Sequence, residues 1–223
     1  LLTSLSTANF STGAGSDTVA PSVLQVNPPN GVIAVGTNNV ITAEFSEPIN
    51  ATTLTTMTFT ASAGGVPVNG RVKVLSGPRG PNTQAVFIPD QFLGGTITYT
   101  IGITAGITDT AGHPLAAPFA SSFDTGSGID NFQPSVVSVS PRQGETGVPL
   151  NTKVTVRFSE PMNPLTIHSG TFSVGGAPFS VLGMPGTIAI ASDLLSATFT
   201  PAQLLLPNTS YSVNVASNAN AAA

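Results

Sequence analysis

The sequence predicts an all-β protein built from tandem units, and three observations support that prediction. The 223-residue chain repeats itself at an offset of 113 residues, its apolar residues alternate with a period of two, and it contains 23 Gly and 19 Pro. A period of two is typical of strands that bury one face, whereas amphipathic helices repeat every ~3.6 residues. No helix start signal is followed by a long periodic segment, so we predict no extended helix.

The repeat is visible in matched segments. Residues 10–17 recur as 123–130, and residues 45–50, which read FSEPIN, recur as 158–163, which read FSEPMN. After one deletion the offset becomes 112 and carries Tyr99 onto Tyr211. Chance does not maintain such a register over about a hundred residues. The chain therefore contains a tandem repeat.

Each unit has the strand content of a sandwich. In the first unit, alternation such as that of Ile41, Ala43 and Phe45 predicts strands near 22–27, 38–46, 56–62, 66–75, 84–89, 96–104 and 119–125. Seven short strands at this spacing favour a Greek-key β-sandwich of immunoglobulin type. Tyr99 and Tyr211 fall early in the sixth strand, where a tyrosine corner is expected. The predicted fold is thus all-β, with tandem immunoglobulin-like Greek-key β-sandwiches.

The repeat also predicts the domain boundaries. Residues 1–13 match the end of a unit and are expected to be the last strand of a preceding repeat. Residues 20–126 are expected to form a complete domain, and residues 133–223 are expected to form a second domain that lacks its last strand. The linker, residues 126–131, is short enough to limit the separation of the domains without fixing their angle.

Composition narrows the function. Charged residues make up 7% of the chain and the net charge is −4, which argues against binding to nucleic acid. The absence of Cys excludes disulfides and Cys-ligated metals. No apolar run approaches the ~18 residues of a membrane span. A hydrophobic content of 40% is sufficient to build a core.

Several motifs together resemble a known family. They are the Phe-Ser-Glu-Pro segment at residues 45–48, Phe87, Tyr99, the Asp-Thr-Ala-Gly loop at residues 109–112, and Phe123-Asp124-Thr125-Gly126. The combination resembles the bacterial Ig-like repeat of the surface-layer SbsA type. The second repeat departs from it at residues 221–223, which read Ala-Ala-Ala. The resemblance implies extracellular or cell-surface spacer and interaction domains of exported bacterial proteins, and it supplies no catalytic residues.

We expect no enzymatic activity. His113 and His168 are the only histidines, and they lie in different units at positions that are not equivalent in the repeat. A Ser-His-Asp triad or a two-histidine metal site would require a convergence that this arrangement does not favour. Both follow turn-like residues, which predicts solvated loop histidines.

Three carboxylates suggest a cation site. In immunoglobulin topology, Asp17, Glu47 and Asp109 should meet at the pole where the chain enters the first unit, and oxygen ligands at a domain junction suit Ca²⁺. Asp130 and Glu160 repeat the first two positions between the domains, whereas the third position reads Ala221. The alternative is that the aspartates shape linker turns and the glutamates simply precede Pro. No other cofactor is expected.

The repeat boundaries suggest a mode of assembly. A segment from Leu5 through Phe10 to Thr12 copies the strand that the second domain lacks, so it could fill the open groove of a neighbouring copy and build a fibre. The alternative is a longer array of repeats in a single chain.

The expected function is a non-enzymatic structural module of a bacterial surface, surface-layer or filament protein. Its expected partners are neighbouring copies or repeats of the same protein. The competing reading is an adhesive or glycan-binding accessory module of a large secreted protein or hydrolase, with a cell-wall or surface glycan as partner.

Overall fold

The computed structural model describes residues 11–12, 15–176, 183–217 and 219, and it shows two units made of antiparallel strands. The first unit contains β1 (Val23–Asn27), β2 (Ile41–Phe45), β3 (Phe59–Ala63), β4 (Val66–Pro67), β5 (Gly70–Gly77), β6 (Gly80–Pro89), β7 (Thr98–Ile103) and β8 (Phe119–Asp124). The second contains β9 (Val136–Ser140), β10 (Val154–Phe158), β11 (Phe172–Gly176), β12 (Gly186–Ile190), β13 (Ser196–Pro201) and β14 (Tyr211–Val215).

The first unit is a sandwich of two four-stranded sheets, ordered β1-β2-β6-β5 and β4-β3-β7-β8. The alternating apolar residues of the strands point inward and form one core. Its largest members are buried aromatic side chains, namely Phe45, Phe59, Phe87, Tyr99 and Phe123. The predicted fold class is therefore confirmed.

The second unit repeats this plan with fewer described strands. One sheet has the order β9-β10-β13-β12, and the other consists of β11 and β14. Its separate core includes Phe158, Phe172 and Phe199. A 3-10 turn at Pro164–Thr166 is the only helical segment among the described residues, and the Asn163 side chain caps it by accepting from the Leu165 N–H at 3.0 Å.

The structure reproduces the register of the repeat. Strands β9, β10 and β11 have the bounds of β1, β2 and β3 moved by 113 residues. Both predicted tyrosine corners form: Tyr99 Oη accepts from the Gly94 N–H at 2.7 Å, and Tyr211 Oη accepts from the Leu206 N–H at 2.8 Å. The two units therefore share strand positions and tyrosine-corner hydrogen bonds as well as sequence motifs.

The predicted strand at residues 66–75 proves to be two strands in different sheets. Strand β4 pairs with β3, whereas β5 pairs with β6 across the sandwich. The chain changes sheets just before Gly70, where an added Cβ would lie 2.6 Å from Ile88 O and 2.8 Å from the Phe87 ring. Glycine is needed here because the backbone crosses directly over a buried aromatic side chain.

Candidate functional site

Three carboxylates gather at one pole of the first unit. Asp17 precedes β1, Glu47 closely follows β2, and Asp109 lies in the loop between β7 and β8. An isolated antiparallel bridge between Ile49 and Asp109 joins the two loops. The Greek-key topology thus brings acidic residues from distant parts of the sequence to one end of the sandwich.

A histidine completes this group, which we call the junction cluster (Asp17, Glu47, Asp109 and His113). One ligand atom from each of Asp17, Asp109 and His113 lies within 4.8 Å of the others. The imidazole Nδ1 of His113 lies 2.7 Å from Asp109 Oδ2, and the His113 backbone N–H donates to Asp109 Oδ1 at 2.9 Å. The sequence predicted a solvated loop histidine, but the structure places the His113 side chain, 37% exposed, against a carboxylate that is 1% exposed.

A local signal for this histidine was present in the sequence. Asp109 and His113 are four residues apart in one tight loop, and Gly112 turns that loop with a φ of 96°. Only glycine adopts this conformation readily. The loop therefore folds the histidine back onto the aspartate that precedes it.

Asp109 and His113 shift one another's pKa. Burial alone would raise the pKa of Asp109, but hydrogen bonds from His113 and the Gly112 backbone bring it below the ordinary value of 3.8. The hydrogen bond to Asp109 raises the pKa of His113 above its ordinary value of 6.5, although desolvation opposes it. The pair is thus a charge-assisted hydrogen bond around a buried carboxylate.

Glu47 lies in an unfavourable electrostatic position. Burial raises the pKa of its carboxyl, and the neighbouring Asp17 and Asp109 carboxylates raise it further. Glu47 Oε1 is buried and has no hydrogen-bond partner among the described residues. The arginine ion pairs of the described chain lie elsewhere, between Arg71 and Asp90 and between Arg79 and Glu44. Three carboxylates therefore surround one imidazole in the junction cluster.

The second unit repeats part of this arrangement. Burial raises the pKa of Glu160, and the Asp130 carboxylate raises it further. Glu160 Oε1 is likewise buried without a hydrogen-bond partner among the described residues. The third predicted position, Ala221, lies outside the part of the chain that the structure describes.

Asp130 also fixes the linker to the first unit. The Asn38 side chain donates to Asp130 O at 2.9 Å and accepts from the Asp130 N–H at 2.9 Å. A Cβ on Gly36 would lie 2.7 Å from Asp130 Cβ, so the linker approaches the first unit more closely than a side chain would allow. The sequence predicted a short linker that limits the separation of the domains without fixing their angle, and the structure bonds Asp130 of this linker to the first unit.

The two units differ at one sheet edge. Strand β7 lies between β3 and β8, whereas β14 pairs only with β11 within the described chain. The inward-facing residues of β7 are at most 5% exposed: Tyr99, Ile101 and Ile103. Their counterparts on β14 are half-buried: Tyr211, Val213 and Val215. Among the described residues, the second unit therefore has one edge of β14 without a partner, beside a partly open core.

The predicted donor residues fall mostly outside the described part of the chain. Leu5 and Phe10 are not among the described residues, and Thr12 is exposed. Donation of this segment therefore stays a prediction.

The two histidines do not share a site. His168 is absent from the junction cluster, and its Nδ1 accepts from the Gly170 N–H at 3.1 Å within its own turn. Among the described residues, the hydrogen bonds of His113 all go to Asp109. The Thr108 hydroxyl donates to the Asp109 backbone O at 3.0 Å, and in the described part of the chain no serine or threonine hydroxyl is bonded to the His113 ring, as a nucleophilic triad would require.

Comparison with known proteins places both units in one family. The family model described as bacterial Ig-like domain matches residues 17–125 and 130–223. Comparison with curated protein sequences finds no match. Among the described residues, no helix combines the length and apolar character needed to cross a membrane.

Solved structures with similar folds are distant. The S-layer protein rSbsC(31-844) is 15% identical, with a TM-score of 0.37, over 88% of this chain and 24% of that chain. PcoC, a methionine-rich copper resistance protein from Escherichia coli, is 18% identical, with a TM-score of 0.37, over 48% of this chain and 99% of that chain. The LD transpeptidase LdtMt1 in complex with imipenem is 14% identical, with a TM-score of 0.35, over 77% of this chain and 61% of that chain. This chain therefore spans about a quarter of the S-layer protein.

Proposed function

We propose that this chain, which belongs to the bacterial Ig-like domain family, is a non-enzymatic structural module of an extracellular surface or filament protein and that its copies join head to tail by strand donation. The observation that carries the proposal is the edge of β14 that has no partner in the described part of the chain, beside a partly open core. An exposed strand edge pairs readily with another strand of suitable sequence.

The first unit shows how such an edge is completed. Strand β8 pairs with β7 along six residues, and the Phe123 ring stacks on Tyr99 with centroids 5.6 Å apart. The Thr125 hydroxyl donates to Gly94 O at 2.6 Å and accepts from the Ile97 N–H at 3.0 Å. A strand with Phe and Thr two residues apart therefore closes both the core and the loop that precedes β7.

The proposed occupant of the β14 edge is the segment of residues 5–12 from a second copy. In the repeat, Phe10 and Thr12 correspond to Phe123 and Thr125. The donated Phe10 ring would lie against Tyr211, and the Thr12 hydroxyl would reach Leu206 O, the counterpart of Gly94 O. The segment thus carries the two side chains that close the first unit.

The composition is compatible with an extracellular location. Only 7% of the residues are charged and there is no Cys, so the folded chain depends on neither disulfides nor a reducing compartment. We further propose that the chain belongs to the SbsA-type group and lies at a cell surface.

Deleting residues 1–13 tests strand donation. The deletion removes no member of either described core, so the shortened chain should fold and remain monomeric, whereas the full chain should form head-to-tail oligomers. Light scattering after size-exclusion chromatography measures the mass, and electron microscopy shows the shape. Oligomers that persist after the deletion, or a full chain that stays monomeric at high concentration, would contradict the proposal.

A peptide supplies the matched control. A synthetic peptide of residues 5–12 should bind the shortened chain with a stoichiometry of one, and the same peptide with Phe10→Ala should bind at least about tenfold more weakly, because it lacks the buried ring. Equal binding of both peptides would show that the Phe10 side chain does not contribute to binding at β14.

Glycan binding is a second candidate function, and two exposed aromatic side chains favour it. Phe92 and Phe132 are 71% and 85% exposed, and exposed aromatic rings supply the flat apolar surface on which sugars stack. A glycan array probed with the intact chain and with Phe92→Ala and Phe132→Ala tests this candidate. Binding that requires either ring would favour an adhesive module.

A further inference from the structure

The junction cluster has the composition of a metal site. Its four side chains come from the segment before β1 and from two loops at the same pole, and none of them forms an ion pair with arginine or lysine among the described residues. His113 can offset the charge of only one of the three carboxylates, and like charges left in excess destabilise a fold unless a cation joins them. This charge imbalance is the first observation that points to a bound cation.

The second observation is an unpartnered buried oxygen. Glu47 Oε1 is buried without a hydrogen-bond partner among the described residues. The Asp17 and Asp109 carboxylates both raise the pKa of its carboxyl. Leaving a carboxylate oxygen desolvated and unbonded costs free energy. An ion bound by Asp17 and Asp109 would supply the missing partner.

We propose that the junction cluster binds one divalent transition-metal ion, with Zn²⁺ as the representative, through His113, Asp109, Asp17 and Glu47. The sequence alone suggested Ca²⁺ on the three carboxylates. The imidazole changes that expectation, because Ca²⁺ takes about six to eight oxygen ligands whereas imidazole nitrogen suits zinc and its neighbours. One nitrogen and three carboxylates match the four-coordinate geometry that Zn²⁺ prefers.

Three of the four proposed ligands already lie close together. Ligand atoms of Asp17, Asp109 and His113 already lie within 4.8 Å of one another, and ligand atoms around a tetrahedral zinc with ~2 Å bonds lie roughly 3.3–3.5 Å apart. The Nδ1–H···Oδ2 hydrogen bond between His113 and Asp109 would give way to two bonds to the ion. To close the site, exposed Asp17 would move toward the ion, and Glu47, which is not one of these three residues, would turn its carboxylate toward it.

The position of the site gives it a structural role. Asp17 lies in the segment that leads into β1, whereas the other three ligands lie in the body of the sandwich. The ion would therefore link the segment that precedes β1 to the loops at this pole of the domain. This role follows from the cluster alone and holds whether or not copies assemble by strand donation.

Isothermal titration calorimetry of the full chain with ZnCl₂, and separately with CaCl₂, tests the proposal. We expect one Zn²⁺ site per chain, with Ca²⁺ binding at least about tenfold more weakly. Asp17→Asn should lower Zn²⁺ affinity by more than about tenfold without unfolding the domain, since Asp17 is exposed. His113→Gln should do the same, and His168→Gln, which changes the histidine outside the cluster, should have no effect.

Three outcomes would overturn the proposal. They are an intact chain that binds no Zn²⁺, Zn²⁺ binding that survives both Asp17→Asn and His113→Gln, and Zn²⁺ binding lost in His168→Gln. Preference for Ca²⁺ over Zn²⁺ would show that His113 is not a ligand. Circular dichroism of each metal-free variant separates loss of binding from loss of folding.

Discussion

At the scale of single residues, the same Phe-Ser-Glu-Pro segment has two different surroundings. Glu47 faces Asp17, Asp109 and His113, whereas Glu160 faces Asp130. Both glutamates have a buried Oε1 with no partner in the described part of the chain. The repeat thus preserves a desolvated carboxylate at each junction, at a cost to stability when that carboxylate is ionised.

The cost at Glu160 predicts a pH-dependent stability. The folded-state pKa of Glu160 is raised above the ordinary value of 4.5, so ionisation favours the unfolded chain. The loss is absent below pH 4.5 and grows as the pH rises through the folded-state pKa. Glu160→Gln should therefore raise the melting temperature at pH 7 and change it little at pH 4, as measured by calorimetry.

Glu145→Gln is the control for this prediction, because Glu145 is exposed and a glutamine there can still accept from the Arg142 N–H. We expect the same melting temperature as the unmodified chain at both pH values. A Glu160→Gln variant that is less stable at pH 7 would show that its carboxylate is stabilised by a partner.

At the scale of elements, β8 covers the edge of β7 and completes the core of the first unit. It supplies the second neighbour of β7, and its Phe123 is 1% exposed in the core. In the described part of the chain β14 has no equivalent neighbour, and its inward residues are half-buried. The described strands of the two units therefore differ at this edge.

Truncating the aromatic side chain of β8 should destabilise the first unit strongly. Phe123→Ala removes a buried ring that stacks on Tyr99, and such changes cost about 3–5 kcal/mol. Urea unfolding measures the loss. The matched variant Phe10→Ala changes the repeat-equivalent residue, and in the monomeric chain it should leave the unfolding free energy within about 0.5 kcal/mol of the original. Equal losses in both variants would mean that Phe10 packs within its own chain.

At the scale of the whole molecule, hydrogen bonds attach the linker between the domains to the first unit. The Asn38 side chain donates to Asp130 O and accepts from the Asp130 N–H, and the Asp130 carboxylate raises the pKa of Glu160 in the second unit. A single residue of the linker is thus bonded to the first domain and acts electrostatically on the second. Such an anchor reduces the freedom that a short polar linker would otherwise have.

Removing the anchor should loosen the junction. Asn38→Ala deletes two hydrogen bonds, each worth roughly 0.5–1.5 kcal/mol, so the backbone amide of Asp130 should exchange its hydrogen about tenfold faster. Hydrogen–deuterium exchange measures this rate. Asn151, the repeat counterpart of Asn38, is exposed, and Asn151→Ala should leave the exchange of Asp130 unchanged. Unchanged exchange in Asn38→Ala would mean that other contacts hold the linker.

The sequence by itself determined the fold class, the tandem repeat and most strands. The reason is that each is visible in the order of the residues: alternation in β2, the Gly and Pro residues between strands, and the repeat that matches Phe10 with Phe123. It also placed Tyr99 and Tyr211 at their corners, because that motif has a fixed position relative to its strand.

Only the tertiary structure decided the remaining features. Three features depend on contacts between parts of the chain that are brought together by folding. They are the change of sheet near Gly70, the His113–Asp109 hydrogen bond and the Asn38–Asp130 hydrogen bonds. Topology predicted that Asp17, Glu47 and Asp109 would share a pole, but it could not show that a loop folds an imidazole among them. Periodicity records which face of a strand is buried, whereas contacts between loops depend on the path of the chain in three dimensions.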